Sequence, residues 1–220
     1  MTQVTVLMAT YNNEKSIEDA ICSIIGQTFT DWHLIIVNDA STDSTDKVLS
    51  KYLSDERFTI INNHANLGLA ASLNIAIRIS NSEFLARADA DDLQLPYRLQ
   101  EQVDVMLKNS DVDLLTCNVI NRFRNGVEKK GAYKNLKNHE IRCSLVRKNV
   151  ICHPTVMLRR RFFDKAGLYD EKLRRSQDWE LWLRGTKNNC KFLSLDREVV
   201  KYWTNDYRRS LRTVYRYCIA

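Results

Sequence analysis

The chain has 220 residues, 44% of them hydrophobic, and carries 33 Lys and Arg against 27 Asp and Glu for a formal charge of +6. That length supports one full core with at most a small appendage, and no run is apolar for the width of a bilayer, so a cytoplasmic protein is expected. The positive total conceals an asymmetry: residues 1–121 hold 8 basic against 17 acidic side chains and residues 122–175 hold 16 against 5, which argues against a nucleic-acid groove running across the molecule.

From the N-terminus, Val4–Met8, Leu34–Asn38, Phe58–Ile61 and Phe84–Ala88 are short β-rich apolar runs. Between them, Ile17, Ala20, Ile21, Ile24 and Ile25 follow helical spacing, with Ser16 and Asp19 as a capping box. A helix over Ser44–Tyr52 follows the second run, and Leu69, Leu73, Ala76 and Ile77 mark another. Strands alternating with helices predict an α/β fold with a doubly wound, mainly parallel sheet, whose ligands sit beyond the C-terminal strand ends. Tyr11-Asn12-Asn13, Asp39-Ala40-Ser41 and Asp89-Ala90-Asp91 all fall at such ends.

A helix from Pro96 to about Asn109 closes this half, with Asp92 or Gln94 as its cap. Strand-like pieces then follow at Leu114–Thr116, Val119–Phe123, Thr155–Leu158, Lys191–Leu193 and Val199–Tyr202. Helices are expected near Glu140–Val146, Arg161–Ala166 and Asp178–Lys187. With two prolines and six glycines in all, no linker is visible. Residues 1–206 read as one domain, with a 1–110 half and a mixed α+β half at 111–206. In residues 207–220, Leu211, Val214, Tyr215, Cys218 and Ile219 share one helical stripe, while Arg208, Arg209, Arg212 and Arg216 lie elsewhere around it. A basic amphipathic helix of this kind lies on an anionic membrane, or docks on its own domain or a second subunit.

The chemistry centres on Phe84–Asp92, an apolar run ending in three carboxylates within four positions. Side chains two apart on an extended chain point the same way, so Asp89 and Asp91 converge and repel unless a cation lies between them. Mg²⁺ or Mn²⁺ suits such a site, taking one or two carboxylates plus substrate phosphates. No G-x-G-x-x-G or G-x-x-x-x-G-K-[ST] loop is present, which disfavours dehydrogenases and P-loop enzymes. Cys22, Cys117, Cys143, Cys152, Cys190 and Cys218 form no C-x-x-C pair, so zinc and redox motifs are unsupported. Cys152-His153 does not suit a nucleophile dyad, because neighbours on a strand face opposite ways.

Read in order, Val-Thr-Val-Leu-Met-Ala-Thr-Tyr-Asn, Gln27-Thr28-Phe29, Ile-Ile-Val-Asn-Asp-Ala-Ser-Thr-Asp, Asn66-Leu67-Gly68-Leu69-Ala70 and Ala-Arg-Ala-Asp-Ala-Asp-Asp resemble a family 2 glycosyltransferase of the GT-A fold. The match continues at His153-Pro154-Thr155-Val156-Met157 and at Gln177-Asp178-Trp179-Glu180-Leu181-Trp182-Leu183-Arg184. The resemblance implies a nucleotide-binding first half, an acceptor-binding second half and an inverting transfer from a nucleotide-sugar, most simply a UDP-sugar. It implies a cradle for the base at Ala9, Thr10 and Tyr11, with Asp39 accepting from a uracil or thymine imide N–H. It further implies that Asn66 and Gly68 shape the loop beside the nucleoside, that Asp91 binds metal directly and that Asp89 contacts ribose or metal. Arg87 orients these carboxylates or neutralises them; both roles stay open.

Asp178 matches the second member of the family's Glu-Asp pair, with Gln177 in the first position, and is the expected base that takes the acceptor hydroxyl's proton. A helix-capping role behind Ser176 is its alternative. Trp182 suits the core, and Trp179 either the core or a sugar face. The family's late histidine is missing from Tyr202-Trp203-Thr204-Asn205, which puts the metal shell in question. Acceptors implied are glycans or lipid-linked saccharides of bacterial surface polysaccharide assembly, with peripheral membrane contact through the terminal helix and no nucleic acid. A nucleotidyltransferase on a similar scaffold, or a non-catalytic nucleotide- or nucleic-acid-binding protein, are the competing readings.

Overall fold

In the first strand Val4, Val6 and Met8 alternate with Thr5, Leu7 and Ala9, and alternate side chains of a strand leave on opposite faces. Nearly all of them are buried, so the strand must be covered on both sides. The computed structural model, which describes residues 2–204, satisfies this with one nine-stranded sheet carrying helices on both faces.

Strands β1 (Val4–Thr10), β2 (Trp32–Asn38), β3 (Phe58–Asn62) and β4 (Phe84–Asp89) run parallel in the spatial order β3-β2-β1-β4. They are linked by α1 (Ile17–Ile25), α2 (Thr45–Leu49, extended by a 3₁₀ turn over Ser50–Tyr52) and α3 (Leu69–Ile79). This is the doubly wound parallel half expected from the alternating pattern. Beyond it come β5 (Leu93–Gln94), α4 (Arg98–Lys108), β6 (Leu114–Arg122), β7 (Glu128–Lys130), α5 (Asn138–Leu145), β8 (Met157–Arg159), α6 (Arg160–Ala166), α7 (Gln177–Lys187) and β9 (Phe192–Trp203). The sheet continues from β4 through β8, β6 and β9 to β5, with β7 paired to β6. Here β4–β8, β8–β6, β6–β7 and β9–β5 are antiparallel while β6–β9 is parallel. The strands of both halves therefore belong to one mixed sheet.

Two apolar clusters fill the two faces. One packs Val4, Val6, Met8, Leu34 and Ile36 beneath α1 and α4, through Ile17, Ile21, Ile24, Leu99 and Met106. The other packs Leu7, Ile35 and Val37 beneath α3, α6 and α7, through Leu73, Ile77, Phe162 and Trp182.

The caps differ from expectation in an instructive way. Ser16 makes no side-chain cap bond, and no capping box with Asp19 forms. The Asn13 carbonyl instead accepts the N–H groups of both Ser16 and Ile17 at 3.0 Å, so the preceding turn already serves the start of α1. Neither Asp92 nor Gln94 caps α4. Gln27 does so from α1's far end, its Oε1 accepting the Leu99 N–H at 3.0 Å while its amide donates to Leu95 O at 2.8 Å. Ser176 is left-handed (φ 56°) and makes no side-chain cap bond to α7.

The strand pieces at 114–116 and 119–123 are one strand, with register shifts around Cys117, Asn118 and Val119. Asn118 is buried and its amide donates to Gly131 O, Tyr133 O and Asp196 Oδ1, so a polar residue that reads as a break serves a bulge instead. The pieces at 191–193 and 199–202 likewise form one strand, β9. Trp179 lies in the core, its indole N–H donating to Leu145 O at 2.8 Å. Among the described residues no helix is long and apolar enough to cross a membrane. The amphipathic helix expected over 207–220 lies outside the described residues.

Candidate active site

The crevice floor is set by strand register. In the β1–β4 pairing Ala9 lies beside Asp89, and in the β1–β2 pairing Thr10 lies beside Asn38, with Asp39 N–H donating to Thr10 O at 2.8 Å. Three strand ends thus bring Ala9, Thr10, Asp39 and Asp89 together. The loops after β1 and β2 are tied to each other: Asn12 N donates to Ser41 Oγ, Thr42 N to Asn12 Oδ1, and Glu14 N to Asp43 Oδ2. Asn12 and Ala40 both sit at positive φ, 55° and 59°, a cost of the kind that gathers at ligand sites. Tyr11 is 46% exposed and points away from the core, free to meet a ligand.

Asp39 is buried and already engaged. Its Oδ1 accepts Asn63 Nδ2 and the Leu67 N–H, both at 2.8 Å, and its Oδ2 accepts the Gly68 N–H at 2.8 Å. It therefore shapes the Asn66-Leu67-Gly68 loop, and only Oδ2, with a single donor, keeps room for an outside N–H. Gly68 is fitted to this loop by its φ of 94° and by Arg174, whose Nη1 would lie 2.5 Å from an added Cβ. That same Nη1 donates to Leu67 O at 3.2 Å.

At the end of β4 the Arg87 guanidinium is buried and donates through Nη2 to Asp89 Oδ1. Its Nε and Nη1 have no protein partner among the described residues. A second buried guanidinium, Arg98, lies beneath, donating to Arg87 O at 2.8 Å and to Gln94 and Gln102. Burial pulls Arg98 down to about 10. Two buried guanidinium groups thus underlie the Asp89–Asp92 turn, and Arg87 is paired with Asp89.

The acidic turn remains strained in charge. Withdrawal of its carboxyl from water and the neighbouring Asp89 charge push Asp91 up, although its other surfaces stay open. Asp92, which is fully buried, is driven well above the usual carboxylate range by burial and then by Asp89. Its Oδ1 accepts the Trp203 N–H at 3.0 Å, and its Oδ2 has no partner among the described residues. Among the described residues no group of three His, Cys, Asp or Glu side chains is arranged to hold a metal ion. The donor set of Asp89 and Asp91, with an orphaned Asp92 oxygen behind them, fits a hard divalent ion completed by phosphates and water.

Asp178 lies in the first turn of α7, in the second half, near enough to Arg87 to feel its charge. Burial raises its carboxyl, while the Trp179 backbone N–H and the Asn149 amide act in the opposite sense. Asn149 Nδ2 donates to Asp178 Oδ2 at 2.7 Å. The Arg87 charge favours the ionised carboxylate, and the Asp178 charge in turn helps push the Tyr133 and Tyr169 phenols up. His153 is held neutral by burial, its Nε2 2.8 Å from the Tyr169 hydroxyl, while Cys152 packs in the opposite core cluster, so the two form no dyad.

Asp92 and Asn149 are the site residues that sequence reasoning passed over. The third carboxylate of the Asp89–Asp92 run was a signal for the first. Nothing local marks Asn149, whose partner lies 29 residues away.

Comparison with known proteins places this arrangement in context. The family model described as Glycosyl transferase family 2 matches residues 5–168. The glycosyltransferase MJ1057 of Methanocaldococcus jannaschii is 37% identical over 203 residues, covering 90% of this chain and 70% of that protein. The Escherichia coli UDP-Glc:α-D-GlcNAc-diphosphoundecaprenol β-1,3-glucosyltransferase WfgD is 35% identical over 108 residues, 49% of this chain and 42% of that protein. Among solved structures, TarS 1–349 of S. aureus in complex with UDP superposes with a TM-score of 0.76 at 21% identity, over 92% of this chain and 61% of that one. That last likeness shows the fold, a GT-A fold with a mixed sheet.

Proposed function

The chain belongs to glycosyl transferase family 2, and from that premise we propose that it transfers a sugar, with inversion, from a UDP-linked donor to a glycan or lipid-linked acceptor in surface polysaccharide assembly. What supports this reading is that Arg87, which donates to Asp89 at the strand end, also acts electrostatically on Asp178, a carboxylate on a helix from the other half. Supporting it are the UDP donor and diphospholipid acceptor in the name of WfgD and the UDP bound to TarS.

Ala9, Thr10 and Tyr11 cradle the base, and Asp39 Oδ2 accepts its imide N–H beside the loop of Asn66 and Gly68. Asp91, with Asp89, would hold Mn²⁺ or Mg²⁺, whose chemistry there is neutralisation of charge on the departing diphosphate. The acceptor hydroxyl oxygen attacks the anomeric carbon as the bond to the diphosphate oxygen breaks, the bonding pair leaving with the diphosphate. Asp178 takes the hydroxyl proton. Arg87 keeps Asp89 turned toward the crevice.

The test pairs ligand binding with one variant. UDP with Mn²⁺ is expected to raise the melting temperature, whereas oligonucleotides leave it unmoved. Asp91→Ala is expected to abolish turnover of UDP-sugars and the Mn²⁺-dependent part of UDP binding, with little loss of stability, because this exposed side chain supports no core. Normal turnover by the variant in chelator, or stabilisation by oligonucleotides in place of UDP, would overturn the reading.

A further inference from the structure

Asp178 is not held by its own helix alone. The Asn149 amide that donates to its Oδ2 at 2.7 Å is itself fixed, because Asn149 Oδ1 accepts the Ile151 N–H at 3.1 Å. Rotating that amide by half a turn would set oxygen against carboxylate and N–H against N–H, so a single orientation survives. The backbone that carries it is pinned on both sides. Arg147 and Lys148 donate their N–H groups to Ser144 O at 2.9 Å, and Cys152 N donates to Thr116 Oγ1 at 3.2 Å. Ile151 and Cys152 are buried. A loop of the second half thus presents one N–H donor, on a rigid mount, to the Asp178 carboxylate of α7.

We propose that Asn149 is a positioning residue for the transfer reaction: it fixes Asp178 Oδ2, so that the acceptor's proton is received on Oδ1. The proposal rests on the reading of Asp178 as the base. The consequence is chemical as well as geometric. Burial favours the protonated, useless form of Asp178, and a donor aimed at the carboxylate favours the ionised one. Among the described residues the other groups near this carboxylate are Arg87, the Tyr133 and Tyr169 phenols and the backbone N–H groups of Trp179 and of Asp178 itself. Among the described residues, only Asn149 makes a side-chain hydrogen bond to Asp178. That bond is therefore the one that substitution can remove.

Two variants separate donation from loop anchoring. Asn149→Ala removes both bonds. Asn149→Asp keeps the acceptor for Ile151 N–H but replaces the donor with a second acceptor. Aspartate carboxyl ¹³C resonances of the full chain are titrated, with Asp178 identified by the signal lost in Asp178→Asn, and UDP release from UDP-glucose is followed across the same pH range. The Asp178 midpoint is expected to rise by about one pH unit in Asn149→Ala. It should rise at least as far in Asn149→Asp, where like charges meet. The acidic limb of kcat should move up with it and kcat at neutral pH should fall about tenfold, with KM for UDP-glucose unchanged. An unmoved midpoint in both variants overturns the proposal, as does a shift in Asn149→Ala alone, which would mark loop anchoring. Undiminished UDP release by Asp178→Asn instead overturns the base reading, and the carboxyl titration still decides whether Asn149 controls that side chain.

Discussion

Asp39 and Gly68 are interdependent. The carboxylate collects the Leu67 and Gly68 N–H groups only because Gly68 adopts a φ that other residues resist, with Arg174 close over its α-carbon. Gly68→Ala is expected to cost about 1–3 kcal/mol in urea unfolding, since backbone strain and a steric contact both enter. UDP binding should weaken alongside. Removing the contact with Arg174→Ala should recover only part of the loss, because the φ is unchanged. At this scale the sequence was readable where chemistry constrains a side chain strongly. The Asp89–Asp91 pair declared itself by its improbable charge density, and Asp39 by its place at a strand end. What Asp39 does within the fold, clamping three donors of the 63–68 loop, was not visible, because those donors are mostly backbone groups that any residue supplies. Trp179 could not be assigned from helical spacing alone; the Leu145 carbonyl that receives its indole N–H decides for the core.

Among elements, Asp113 shows how the irregular second half is stitched. Its side chain has no solvent exposure and accepts from Arg161 Nε at 2.5 Å, Lys165 Nζ at 2.9 Å and Lys191 N at 2.8 Å, joining α6 and the starts of β6 and β9. Burial alone would raise its carboxyl, but the Arg161, Lys191 and Lys165 bonds prevail and hold it below the usual value. A depressed carboxyl contributes stability that is present above its ordinary pKa, about 3.9, and is lost as pH falls through the depressed value. Asp113→Ala is therefore expected to cost about 2–3 kcal/mol at neutral pH, moderated by the partly solvated Arg161 and Lys165. The gap from the parent chain should close as pH drops below 4, as read by urea midpoints at each pH; a gap constant with pH would assign the loss to packing. Such long-range stitching explains why the four parallel strands were legible and the later ones blurred. Regular βα alternation writes itself into local periodicity. The bulge at Asn118 and the cap lent to α4 by Gln27 depend on partners distant in sequence, and local pattern is blind to them.

For the molecule as a whole, charge is the least local property, and the asymmetry of the sequence survives folding. Lys134, Lys137, Arg147 and Lys148 are exposed on and around α5, as is Val146. Because Asn149 adjoins Arg147 and Lys148, that basic surface borders the loop that hydrogen-bonds Asp178. A lipid-linked acceptor would bring it against anionic headgroups. Phosphatidylserine vesicles should therefore co-sediment with the chain at low salt and release it near 1 M, where the Debye length falls to about 3 Å. Arg147→Glu with Lys148→Glu should weaken binding, and deletion of residues 207–220 measures the tail's own share. Equal binding to neutral vesicles, or none to either kind, would remove the membrane from the proposal.

The bond from Trp203 N–H to Asp92 has an optical consequence. Trp32, Trp179 and Trp182 are buried, whereas Trp203 is 39% exposed, with the Arg122 guanidinium 4.7 Å from its ring centre. Its backbone is fastened to the residue that follows Asp91, so any shift of the acidic turn is transmitted to an indole already in contact with water. Trp203 is thus an intrinsic fluorophore tied to the acidic turn, and a ligand bound at Asp89 and Asp91 is expected to change its emission, as read by titrating UDP and Mn²⁺ without a label.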